Sequence, residues 1–173
     1  MSDKPYSILI LCTGNSSRSI MAEALFNVLG KGKFQAHSAG SHPSGAVNRF
    51  AVERCEALGY YTAKLRSKSW DEFATADAPH MDFIITACDQ AAGEVCPIWP
   101  GHPMTAHWGF EDPAAFEGSD DEKRKVFSKV YRQIMTRVSH FVNLPLQVLD
   151  YNAIQREMRA IGEKPVEESN EQH

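Results

Sequence analysis

The stretch Leu11-Cys12-Thr13-Gly14-Asn15-Ser16-Ser17-Arg18-Ser19 limits what this chain can fold into more than any other part of it. Ahead of it, Tyr6-Ser7-Ile8-Leu9-Ile10-Leu11 is a short apolar run rich in β-formers, which reads as a buried strand. Behind it, Ile20, Ala24, Leu25 and Val28 fall on one helical face of a segment that begins near Arg18. A cysteine thus ends a strand, a loop of small polar residues follows, and a helix starts.

This order has chemical consequences. Successive backbone N–H groups from Thr13 through Gly14, Asn15, Ser16 and Ser17 to Arg18 can converge on one spot, where the helix N-terminus adds partial positive charge. The Arg18 guanidinium is a planar fork that matches two oxygens of a tetrahedral anion. The same field is expected to lower the Cys12 pKa and leave a thiolate near neutral pH. The pattern points to a cysteine that attacks phosphate or an analogue of it. The bland alternative is a buried cysteine before a turn, with an arginine nearby by chance.

At 173 residues the chain is long enough for one domain with a sizeable core. Its net charge of −4 gives no reason to expect nucleic acid or an anionic membrane as partner, so an anion must be drawn by a local site. No run approaches membrane-spanning length and the N-terminus lacks a signal-peptide pattern, so a cytoplasmic location is expected. The four cysteines, Cys12, Cys55, Cys88 and Cys96, are too few and too unevenly spaced for a secreted disulfide scaffold.

Further along, Phe34–Gly40 reads as a second strand and Asn48–Leu58 as a helix closed by Gly59, with Cys55 on its apolar face as core filler. His37 and His42 have no partner at metal spacing. Ser69 and Glu72 have capping-box spacing for a short helix, and His80–Ala87 carries the next central strand. Ala91-Ala92-Gly93 makes the segment after Cys88 easy to refold, and Pro97 and Pro100 stop a helix beyond Cys96. Thr105–Trp108 is a short last strand at a sheet edge. Ser119 and Glu122 form a second capping box before a long amphipathic helix marked by Val126, Val130, Ile134, Val138 and Phe141. The alternation of strand and helix predicts an α/β fold with one doubly wound, mainly parallel sheet. Residues 1–150 are expected to form one catalytic domain. Residues 151–173 are expected to form a helical extension that frays into an acidic tail from Gly162.

Cys12 to Ser19 followed by Met21-Ala22-Glu23 resembles the active-site loop of low-molecular-weight protein tyrosine phosphatases, and resembles still more the arsenate reductases built on that fold. The resemblance runs from about Tyr6 to Ala115. It implies three α/β/α layers around a four-stranded sheet. It also implies an oxidoreductase that reduces arsenate to arsenite in arsenic detoxification. Cys12 would be the nucleophile, held with Arg18 and the loop amides around the oxyanion, and Ser19 would hydrogen-bond the thiolate. Asp112, before Pro113, would be the general acid. Cys88 and Cys96 would carry electrons out by a disulfide relay. The implied reductant is thioredoxin, or glutathione with glutaredoxin, and phosphate or sulfate would bind as analogues. Potassium beside the loop would be held by Asn15, Ser38 and Asp71.

Three departures stand against that pattern. The Cys88–Cys96 spacing is one residue longer than in the thioredoxin-coupled members. Ser17 replaces a frequent cysteine. Ala114-Ala115 replaces the aromatic pair that flanks phosphotyrosine in the phosphatases. The competing expectations are a phosphatase acting on tyrosine or small aryl phosphates, and a non-enzymatic oxyanion sensor.

Overall fold

The computed structural model describes residues 4–88, 99 and 101–166. Four parallel strands, β1 (Tyr6–Leu11), β2 (Phe34–Ala39), β3 (Phe83–Thr86) and β4 (Met104–His107), lie in the order β2-β1-β3-β4. β1 is central, with Tyr6 opposite Phe34 on one side and Leu11 opposite Thr86 on the other. Its unbroken apolar run is explained by cover on both faces. Ile8 and Ile10 point into the large core, whereas Leu9 and Leu11 pack with Trp70, Phe73, Met81, Ile84 and Trp99.

The large core is built by α1 (Arg18–Leu29), α2 (Arg49–Leu58), α3 (Asp120–Val142) and α4 (Tyr151–Glu163). Aromatic rings fill its centre: Phe141 meets Phe83 edge-on, with ring centroids 5.2 Å apart, and also contacts Phe26, Phe34 and Trp108. α1 buries every residue from Ser19 to Phe26, not one face alone, because α2, α3 and the sheet enclose it.

The capping box at Ser119 forms as expected, each partner's side chain bonding the other's N–H. The one expected at Ser69 does not. Ser69 accepts from the N–H of Asp71 and starts only a 3₁₀ turn over Trp70–Phe73, because Arg66 takes the Glu72 carboxylate. α4 runs through Gly162 to Glu163, past the point where fraying was expected, and adds Ile154, Met158 and Ile161 to the core. Residues 167–173 of the expected tail lie outside the described residues. No helix among the described residues is long and apolar enough to cross a membrane.

Candidate active site

The strand–loop–helix unit places the loop 12–18 at the carboxyl end of the central strand, where parallel α/β sheets bind ligands. Neighbouring segments hold its carbonyls outward. Thr13 O accepts from His42 N–H, Gly14 O from Ser44 N–H and the Ser67 hydroxyl, and Ser16 O from Asn48 N–H, all at 2.9 to 3.0 Å. A trans peptide sets its N–H opposite its C=O, so the amides of Gly14, Asn15 and Ser17 are turned toward the inside of the loop. Asn15 permits the bend by adopting φ +46°. Gly40 passes so close that a Cβ there would lie 2.3 Å from Thr13 O and 2.4 Å from Cys12 O.

Asn15 is the pin of the loop. Its side-chain NH2 donates to Ser19 Oγ (2.9 Å) and Ser38 Oγ (3.0 Å), and its Oδ1 accepts from Lys68 N–H (2.9 Å). Ser38 in turn donates to Glu23 Oε1 at 2.5 Å. Burial raises the Glu23 pKa, against the pull of Ser38 and Lys68. Of the residues expected beside potassium, the structure brings Asn15 and Ser38 together. Asn15 Oδ1 is taken by an amide and Ser38 Oγ by Asn15 and Glu23, the half-buried Lys68 already supplies a cation's charge near Glu23, and Asp71 is exposed. No metal-binding group of three or more His, Cys, Asp or Glu occurs among the described residues.

Cys12 and Cys88 form a buried pair, 4% and 3% exposed. Thr13 N–H points at Cys88 Sγ (3.5 Å), and Thr13 Oγ1 lies 3.7 Å from it. The Cys88 sulfur therefore lies against the start of the loop, beside Cys12 and Thr13. No disulfide joins the two cysteines. The expected Cys12 thiolate is corrected here. The hydrogen bond to Cys88 and burial push the Cys12 pKa well above the ordinary thiol range, and Arg18 only partly opposes them. Cys96, the other expected relay thiol, lies outside the described residues.

Arg18 NH1 donates to Phe110 O (3.0 Å), and NH2 lies 3.7 Å from Asp112 Oδ2. Its Nε is buried without a partner among the described residues, a donor left over for an anion. Asp112 caps the turn Pro113–Ala115 by accepting from Ala114 N–H, and is 44% exposed. Cys12, Cys88, Arg18, Ser19 and Asp112 are therefore gathered at one end of the sheet.

The sequence model described as low molecular weight phosphotyrosine protein phosphatase matches residues 7–159. The chain belongs to the low-molecular-weight phosphotyrosine protein phosphatase family. Within this phosphatase family its relatives include the arsenate reductase of Halalkalibacterium halodurans, 38% identical over 134 residues, covering 78% of this chain and 93% of the relative. The arsenate reductase of Bacillus subtilis is 35% identical over the same coverage. A solved arsenate reductase in a phosphate-binding state superposes with a TM-score of 0.63 at 28% identity, covering 79% of this chain and 96% of that one. The three-layer α/β/α fold of the family is the one described above.

The loop, Cys88 and Asp112 were legible in the family's motif. The resemblance brought Asn15 and Ser38 together only as a potassium set; that Glu23 and the main chain of Lys68 join them in a clamp was not legible, because these members lie far apart in sequence. The available hint was an asparagine inside a loop that needs positive φ.

Proposed function

We propose that this protein reduces arsenate to arsenite by thiol chemistry at Cys12. The observation that carries the proposal is the contact of Cys88 with the nucleophile Cys12 and with Thr13 at the start of its loop. Hydrolysis needs one cysteine and a water. A second buried thiol on the first is what two-electron reduction needs.

Arsenate enters the loop amides and the Arg18 fork, displacing the Cys88 sulfur and with it the main cause of the raised Cys12 pKa. Cys12 attacks arsenic, Asp112 protonates the departing oxygen as water, and a Cys12–arsenic(V) adduct forms. Cys88 then attacks Cys12 Sγ. The S–As electron pair leaves with arsenic, arsenite is released, and a Cys12–Cys88 disulfide holds the oxidising equivalents. Ser19, whose oxygen already accepts from Asn15, donates a hydrogen bond to the Cys12 thiolate during these steps. Cys96 attacks Cys88 to move the disulfide outward, and a dithiol protein of the thioredoxin or glutaredoxin class reduces it.

Asp112 beside Arg18 also supports slow hydrolysis of aryl phosphates by the same loop. Arsenite formation, assayed with thioredoxin or with glutathione and glutaredoxin, tests the reading. Wild type should turn over with one of them, Cys12→Ser should be inactive, and Cys88→Ser should stall after Cys12 has reacted. Multiple turnover by Cys88→Ser would defeat the relay.

A further inference from the structure

Arg137 belongs to none of the motifs that mark the site, yet this buried charge makes three hydrogen bonds across the protein's core. It sits on α3, 8% exposed. Its NH1 donates to Gly109 O (2.9 Å), and its NH2 donates to Gly162 O (3.3 Å) and Lys164 O (2.8 Å). The guanidinium lies over the Phe110 ring, 4.8 Å from its centroid. Every one of those hydrogen bonds goes to a main-chain carbonyl, so the ion is held by backbone geometry rather than by a counter-charge.

Two of the three carbonyls come from the end of α4, and the third opens the segment that carries Asp112. Phe110 is the link onward, because its own carbonyl is the acceptor for Arg18 NH1 at 3.0 Å. α3 grips the same segment a second time through Lys129 Nζ and Glu111 Oε1, 2.7 Å apart. On the other side of the segment, Trp108 Nε1 donates to Met158 O of α4 at 2.9 Å.

We propose that Arg137 is a positioning residue for oxyanion binding. It fixes Gly109 and Phe110 against the end of α4, and so sets the carbonyl that aims the Arg18 fork. The end of α4 thereby becomes part of the active-site support. The proposal rests on the reading of the loop as an oxyanion cradle. It adds that the cradle's arginine is aimed from the far side of the core.

The test is calorimetric titration of the full-length protein with inorganic phosphate, alongside circular dichroism and thermal melting. Arg137→Met should remain folded and bind phosphate roughly tenfold more weakly, within the range by which supporting residues modulate a distant site. Phe110→Leu, which keeps the carbonyl but removes the plate under the guanidinium, should shift affinity in the same direction. It gives a second reading if Arg137→Met fails to fold. Folded variants with lowered melting temperatures and unchanged phosphate affinity would overturn the proposal and leave the cradle intact. Failure of wild type to bind phosphate would overturn the cradle itself, and this proposal with it.

Discussion

Two opposing influences act on the Cys12 sulfur. Arg18 favours the thiolate, while Cys88 and burial favour the protonated thiol and prevail as long as Cys88 stays beside Cys12. A raised pKa means less thiolate at neutral pH. Removing its largest cause should therefore move the pH midpoint of Cys12 alkylation by iodoacetamide downward in Cys88→Ala. An unchanged midpoint would show that the second sulfur does not control the first. Glu23 offers a separate check on the clamp beneath the loop. Its folded pKa is raised, so its contribution to stability is present at low pH and is lost as pH rises through that folded value. Glu23→Gln cannot ionise. Its melting temperature should therefore gain on wild type as pH rises from the ordinary carboxylate range through the raised folded value, and a constant difference would contradict the assignment. The sequence marked Cys12 and Arg18 because strand, loop and helix are contiguous. It could not mark the protonation of Cys12, because the sulfur that sets it lies 76 positions away, as the residue numbers show.

Elements differ in how far local pattern foretells them. The β1–loop–α1 unit was readable because an apolar run, a cysteine and a helical repeat are each local signals. The Ser69 box failed because a competing partner, Arg66, took the acid that the spacing reserved for the cap. Gly162 looked like a helix stop. It is instead a close-packing position: a Cβ there would meet His107 O at 2.1 Å and Trp108 Cδ1 at 2.6 Å. Gly162→Ala should therefore destabilise the fold by about 1–3 kcal/mol, the usual range for overpacking, measured by urea unfolding. Ser119→Ala removes only the cap of α3 and should cost about 1 kcal/mol. If the two costs were reversed, α4 would not be seated on β4 as described.

At the scale of the whole molecule, one parallel sheet collects chemistry from four separated stretches: the loop after β1, the end of β3 with Cys88, the segment after β4 with Asp112, and the end of α4 through Arg137. Alternating elements made the layered fold legible. The closing of those stretches on one another was not, since it depends on tertiary contacts that no local period encodes. The central claim is that the second thiol, against the nucleophile, makes this a reductase. It is tested most directly by one experiment. The fully reduced protein is mixed with one equivalent of arsenate in the absence of any external thiol, and then quenched for thiol counting and disulfide mapping by mass spectrometry. The expected result is one arsenite released per protein and two thiols lost, in a disulfide that includes Cys88. Arsenate recovered unreduced, with Cys12 and Cys88 both still alkylatable, would contradict it.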